Sequence, residues 1–382
     1  MSTVLTENIV EEAAIDWFKD LGYQYLPGPD IACDGPYPER GSYADVILEE
    51  RLRSALMSLN PSIPAVALED AFRKVTRPDS PSFIVNNRQF HKMLTEGIDV
   101  EFHNEEGRIV GDKVWLVDFT NPENNDWLVV NQFTVIEGQQ NRRPDLVVFV
   151  NGLPLAVIEL KNPADENATI KAAYKQFQTY KMDIPSLFPY NEMLVISDGT
   201  NARVGMLTSG LEWFLPWRTS NGVSVEQKDI PELEVLLNGI FEKNRFLDLV
   251  RHFILFEVNG SEINKKMAAY HQYHAVKAAV AATVEATSPW GDRRVGVVWH
   301  TQGAGKSLTM VFYAGKIILH PAMENPTLVL LTDRNDLDQQ LFDNFALAQD
   351  LLRQKPEQAV SREHLRGLLK VASGGIIFTT IQ

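Results

Sequence analysis

Residues 143–163, RPDLVVFVNGLPLAVIELKNP, place two runs of Val, Ile and Leu on either side of Asn151-Gly152. Asn-Gly between apolar runs is a strong hairpin signal, because both residues tolerate the positive φ of a tight turn. The second run carries Glu159 and Lys161, which share one face of a strand because they stand two apart. Charges in so apolar a strand are costly unless they are paired or bind a metal. An Asp at the start of the neighbouring strand, Asp145, completes a carboxylate pair for Mg2+, and the lysine then orients or activates an attacking water. That is a phosphodiesterase arrangement; a structural Asp/Glu/Lys network at a sheet end is the competing reading. Register separates the two. A strict two-residue turn would set Asp145 against Ile158, on the wrong face, so a three-residue loop or a bulge is expected to bring Asp145 opposite Glu159.

Working outward, a helix over 168–181 carries Gln176 and Tyr180, four apart beside the Ala173/Phe177 stripe and able to face the carboxylates. A first helix over 7–21 has Val10, Ala13, Ala14, Trp17, Phe18 and Leu21 on one side and Gly22 at its end. Glu12 falls on its solvent face; Glu11, at the border of the stripe, is the better-placed third metal carboxylate, with Glu7 close behind. Helices are expected over 43–59 and 64–75. Strands are expected in VEFHNEEGRIVGDKVWLVDF, in DWLVVNQFTVIEG and over 192–197, with a further hairpin in SDGTNARVGMLTSGLEWFLPW.

Beyond a polar connection at 218–229, helices over 231–241 and 244–255 are expected to bridge to a second domain. There a helix (262–285), strand (VGVVWH), Gly-rich turn (TQGAGKS), helix (308–319), strand (TLVLLT), helix (335–353) and strand (GIIFTT) alternate, which implies a parallel α/β sheet. A three-stranded sheet with one edge cut reads as unfinished, so the chain is expected to be a fragment. Residues 300–307, HTQGAGKS, fit a phosphate-binding loop with His300 where the pattern begins with Gly. The backbone of Thr301, Gln302, Gly303, Ala304 and Gly305 would wrap a phosphate at a helix N-terminus, with Lys306 on the outer phosphates and Ser307 on Mg2+. Gln272 reads either as an adenine contact or as a solvated helix residue; His271 and His274, without a companion ligand, read as helix surface.

Composition limits the classes that remain. With 36 Lys+Arg against 50 Asp+Glu in 382 residues the net charge is −14, and 45% apolar and 9% aromatic content excludes disorder as the main state. Cys33 alone makes neither a disulfide framework nor a thiolate zinc site. The acidic N-terminus lacks a signal-peptide core, and the longest apolar run, 146–160, is broken by Asn151, Gly152 and Pro154, so a cytoplasmic protein without a membrane span is expected. The acidity argues against a DNA-coating protein, yet Arg142, Arg143, Lys161, Lys171, Lys175 and Lys181 would give one local basic cleft.

P-D-(x)13-E-L-K followed by Q-x-x-x-Y resembles the PD-(D/E)xK nucleases with a helical Gln/Tyr motif. Placed ahead of WHTQGAGKSLTM, LTDRNDLDQQLFDNF and IIFTTIQ, it is similar to the restriction (motor and endonuclease) subunit of type I restriction-modification enzymes. The resemblance implies a PD-(D/E)xK domain, a mixed sheet flanked by helices, over 1–220, a helical connector over 221–260, and the start of a RecA-like motor domain over 261–382. It implies Asp145, Glu159 and Lys161 as catalytic residues supported by Gln176 and Tyr180, Lys306 and Ser307 for ATP-Mg2+, Gln272 for adenine, and Thr332, Asp333 and Arg334 near DNA. Implied partners are double-stranded DNA and the specificity and methyltransferase subunits. The motor groups that complete ATP hydrolysis would lie downstream, so this chain by itself is expected to bind nucleotide weakly and not to translocate. A repair or other restriction-class nuclease-helicase, or a non-catalytic assembly fragment, are the alternatives.

Overall fold

The computed structural model describes residues 7–104, 106–162, 169–222, 224–227, 229–333 and 335–381, without the side chains of Glu7 and of residues 335–338. The chain divides into two units, Met1–Arg251 and His252–Gln382.

The first unit runs α1 (Glu7–Asp20), β1 (Gln24–Pro27), α2 (Glu49–Leu59), α3 (Ala65–Thr76), α4 (Phe83–Glu96), β2 (Ile98–His103), β3 (Ile109–Val114), β4 (Trp127–Asn131), β5 (Val135–Glu137) and β6 (Gln140–Arg142). It continues with β7 (Leu146–Val150), β8 (Leu153–Leu160), α5 (Ile170–Asp183), β9 (Met193–Ser197), β10 (Ala202–Gly205), α6 (Glu232–Ile240) and α7 (Lys243–His252). Its six-stranded sheet has the order β1-β4-β7-β8-β9-β10. The β1/β4 and β8/β9 pairs are parallel and the rest antiparallel, a mixed sheet. Every residue of β7 and β8 is buried, as their unbroken Val/Ile/Leu runs demand of central strands.

The β7/β8 hairpin turns on Asn151 (φ 54°) and Gly152 (φ 78°), with Val150 against Leu153. Phe149 then faces Pro154, but Val148 faces Ala156, so Leu155 is an extra residue, a β-bulge. Below it Leu146 opposes Ile158, and Asp145 comes level with Glu159. The turn has two residues and the bulge supplies the shift.

One helix goes beyond the expectations and two local expectations change. The helix at Phe83–Glu96 has no apolar stripe in the sequence because Asn86, Asn87 and His91 lie on its buried side; Asn87 Nδ2 donates to the carbonyls of Pro189 (3.0 Å) and Asn191 (2.7 Å). DWLVVNQFTVIEG is not one strand: it breaks at Gln132, φ 51°, and β5 pairs with β6 instead. Helices α6 and α7 do not bridge. Tyr23 Oη donates to Phe241 O at 2.9 Å, Phe18 packs edge-on to Phe241, and Trp127 to Phe246, all within the first unit. The division therefore falls at residue 251/252, against the connector expected over 221–260.

The second unit opens with a hairpin where a helix start was expected, β11 (Ile254–Asn259) and β12 (Glu262–Met267), with buried Lys265 over the Phe256 ring. Then follow α8 (Tyr270–Thr287), α9 (Lys306–Ile318), β13 (Leu328–Thr332), α10 (Asn335–Leu347), α11 (Gln349–Leu352), β14 (Glu357–Gln358), α12 (Arg362–Leu368) and β15 (Ile376–Thr380). Strands β13-β15-β14 form a parallel sheet. The expected VGVVWH strand is absent: residues 295–300 pair with no strand among the described residues, and Val297 and Trp299 are 94% and 79% exposed. An apolar run without a neighbour to take its N–H and C=O groups has no reason to extend as a strand. No described helix is long and apolar enough to cross a membrane.

Candidate functional site

Asp145 enters β7, Glu159 and Lys161 leave β8, and α5 crosses the same end of the sheet. Their side chains meet in one open cleft of about 570 Å³, whose other wall comes from Asn8, Glu11, Glu12 and Ile15 of α1, Tyr25, and Asn131 and Gln132 at the end of β4. All five residues expected to be catalytic, Asp145, Glu159, Lys161, Gln176 and Tyr180, line it.

The contacts run in a chain. Lys161 Nζ donates to Glu159 Oε1 at 2.5 Å, and Tyr180 Oη stands 3.1 Å from Glu159 Oε2 and 3.3 Å from Arg143 O. Gln176 Nε2 donates to Tyr180 Oη at 3.0 Å, across one helical turn. Asp145 Oδ2 accepts the Leu160 N–H at 2.7 Å, which ties the two strands together at the level the bulge sets. Glu159 is 1% and Asp145 6% exposed. So buried a carboxylate is tolerable only with partners, which the ammonium and the phenol supply. Burial, and next the Glu159 carboxylate, push the Tyr180 hydroxyl well above its usual range, so it stays a donor.

Glu11 lines the cleft but does not join the carboxylates. Its Oε1 accepts from Asn131 Nδ2 (2.7 Å) and its Oε2 from Gln132 Nε2 (2.5 Å), and no three His, Cys, Asp or Glu side chains among the described residues gather as a metal cluster. The expected gathering of Asp145, Glu159 and Glu11 into one three-carboxylate set is therefore not formed among the described residues. The Glu7 side chain lies outside the described residues. The pair offers only carboxylate oxygens, a hard donor set that fits Mg2+.

Of the expected basic cleft, part remains. Arg143 lines the cleft, but Arg142 is taken by Asp183 through Nε (2.7 Å) and Nη2 (2.6 Å), and Lys181 Nζ turns away to Leu207 O at 2.7 Å. Burial lowers Lys181 to about 8 from the 10.5 of a free lysine. The folded-state value is the depressed one, so between these values the unfolded chain binds more protons and stability rises with pH. Against Lys181→Met, which lacks this titration, the Tm of the native chain is expected to gain as pH is raised from about 7 to about 9.5. Parallel Tm profiles would contradict the assignment.

In the second unit, α9 starts at Lys306 behind left-handed Gly305 (φ 74°), with Gly303 also left-handed (φ 82°). Lys306 Nζ donates to the His300 and Thr301 carbonyls, both at 3.1 Å, and so lies across the concave side of the turn. Thr301, Gln302 and Gly303 are exposed, and Ala304 and Ser307 half-buried. Gln272 is buried with both ends of its amide engaged: Oε1 accepts from Ala269 N (2.8 Å) and Nε2 donates to Gly305 O (3.0 Å). It is neither solvated nor open to a base; it fastens the loop to α8, helped by His271 Nε2 at 3.1 Å from Ala304 O. Burial first, then His271 and Lys306, lower the pKa of His300. Thr332 closes β13, where its carbonyl accepts from Ile381 N at 3.0 Å; Asp333 follows, and Arg334 lies outside the described residues.

Sequence reasoning missed the Glu11–Asn131–Gln132 contact and Tyr25, whose hydroxyl donates to Asn131 Oδ1 at 3.1 Å. No pattern marks a left-handed glutamine in a strand-like segment.

The family model described as "Type I restriction enzyme R protein N terminus" matches residues 4–213, and that for "SWI2/SNF2 ATPase" matches residues 271–382. The type I restriction enzyme HindI endonuclease subunit of Haemophilus influenzae is 43% identical over 385 residues, 99% of this chain and 36% of that protein. The MjaIXP protein of Methanocaldococcus jannaschii is 38% identical over 397 residues, 98% of this chain and 37% of that protein. The chain thus spans a little over a third of the length of the curated relatives it matches. With more than half of its length matched, the chain belongs to the type I restriction enzyme R protein family, whose N-terminal region its residues 4–213 represent.

Proposed function

We propose that the first unit is a PD-(D/E)xK-type endonuclease domain that cleaves double-stranded DNA with Mg2+, and the second a RecA-like portion of an ATP-driven translocase. The observation that carries this reading is the bulge-set meeting of Asp145, Glu159 and Lys161, with Gln176 and Tyr180 behind them, in one cleft. Asp145 and Glu159 would hold Mg2+, whose chemistry there would be to lower the pKa of an attacking water and to offset the phosphate charge. Lys161, fixed by Glu159, presents its ammonium to the cleft, where it orients that water and balances charge gathering on the phosphate oxygens. Water adds to phosphorus as its proton passes to bulk solvent, the P–O ester bond breaks, and the leaving oxygen takes a proton back from solvent. Tyr180 holds Glu159 in its rotamer, and Gln176 holds Tyr180. Arg143 in the cleft and exposed Lys171 and Lys175 on α5 are the cations left to meet the DNA backbone.

In the second unit, Lys306 and Ser307 would receive ATP-Mg2+, the ammonium exchanging its carbonyl contacts for phosphate oxygens, while Gln272 keeps the loop in place. The names of the relatives, endonuclease subunits of type I restriction enzymes, support a restriction role; specificity and methyltransferase subunits are the partners that the sequence resemblance implies. The test is nicking of supercoiled plasmid by the purified chain. Nicking is expected with Mg2+, not with chelator, and is expected to fall about a thousandfold in Asp145→Asn. Nicking that ignores both the chelator and the substitution would contradict the reading.

A further inference from the structure

Where α1 meets the end of β4, the chain takes an unusual path. Gln132 has φ 51°, in the left-handed region that non-glycine residues seldom enter. This conformation turns its backbone N–H toward the start of β7, where it donates to Asp145 O at 2.9 Å. Two amides hold the kink from the side: Gln132 Nε2 and Asn131 Nδ2 both donate to the Glu11 carboxylate, at 2.5 and 2.7 Å. Gly28 closes it from below, its N–H on Asn131 O at 2.8 Å; a Cβ there would stand 2.4 Å from that oxygen. A strained backbone persists only where its surroundings over-determine it, and such strain gathers at functional sites.

We propose that Glu11 is a positioning residue that acts through Gln132. Its carboxylate clamps Gln132 in the left-handed conformation, the Gln132 N–H then fixes the main chain at Asp145, and the Asp145 carboxylate is thereby held level with Glu159. The consequence for cleavage rests on the nuclease reading above; the clamp itself does not. A residue acting this way is dispensable once the kink needs no clamp, whereas one that touches metal or substrate is not.

Glycine takes positive φ freely, so Gln132→Gly should keep the backbone path without help from Glu11. The full chain is compared as native, Glu11→Gln, Glu11→Ala and Glu11→Ala/Gln132→Gly, by hydrogen exchange at the residue 132 amide and by Mg2+-dependent plasmid nicking. In Glu11→Ala, exchange at 132 should speed and nicking should slow, each about tenfold, the scale of one hydrogen bond. Glu11→Gln, which keeps one acceptor, should lie between, and the double variant should recover both. Unchanged exchange in Glu11→Ala would overturn the clamp. Restored exchange with nicking still lost in the double variant would overturn it too, and make Glu11 a direct participant. Absence of nicking by the native chain, with exchange responding as expected, would sink the nuclease reading and leave the clamp standing.

Discussion

Glu159→Gln should abolish Mg2+-dependent nicking, by about a thousandfold or more, while leaving the fold in place. The substituted amide has nearly the shape of the carboxylate, and its oxygen can still accept from Tyr180 or Lys161. What it loses is the negative charge, and with it one of the two hard ligands proposed for a divalent cation. Lys161 then faces a neutral partner at 16% side-chain exposure, which should cost stability by about 1–2 kcal/mol, less than a fully buried broken pair. Tyr180→Phe makes the graded comparison. Its hydroxyl acts on Glu159 and not on substrate, so nicking should slow by only about tenfold, the scale of one hydrogen bond. Initial nicking rates and melting curves of the two variants, measured together, check both the size and the order. Equal losses would mean that Glu159 is no more than a packing element.

Gly152→Ala should cost the first unit about 3 kcal/mol, although it adds one methyl group on a turn. Gly152 holds φ 78°, and a Cβ there would stand 2.4 Å from Leu48 O and 2.9 Å from Leu52 N. The same residue's carbonyl accepts the Leu48 N–H at 2.9 Å, so the turn is docked against the start of α2 and cannot move aside without breaking that contact. Gly107→Ala is the control: φ is 74°, but beyond its own chain neighbours no atom of the described residues lies within 4 Å of its Cβ position, so only the left-handed strain of about 1 kcal/mol remains. Thermal melts should separate the variants by several degrees. Identical shifts would show that the close approach contributes nothing.

The site was legible where chemistry forces a conflict that only one geometry resolves. Charged Glu159 and Lys161 in an apolar strand need partners, and the arithmetic from Asn151-Gly152 to Asp145 already requires one extra residue; Leu155 is that residue. The first helix, the hairpin and the helix bearing Gln176 and Tyr180 follow from spacing alone. What stayed illegible depends on distant partners. Asn87 makes a polar-looking face buriable only because the carbonyls of Pro189 and Asn191, some hundred residues on, accept from it. Gln132 breaks a strand pattern because Glu11 and Asp145 reward the break. Residues 295–300 show the opposite case, an apolar run that remains irregular where no strand accompanies it.

The central claim is that Asp145 and Glu159 form one divalent-cation site, and Mn2+ binding to the purified chain, followed by calorimetry or electron paramagnetic resonance, tests it most directly. The native chain should bind a single Mn2+ in the first unit, and Asp145→Asn/Glu159→Gln should lose that site while Lys306→Ala, in the other unit, keeps it. Mn2+ binding undiminished in the doubly substituted chain would contradict the account.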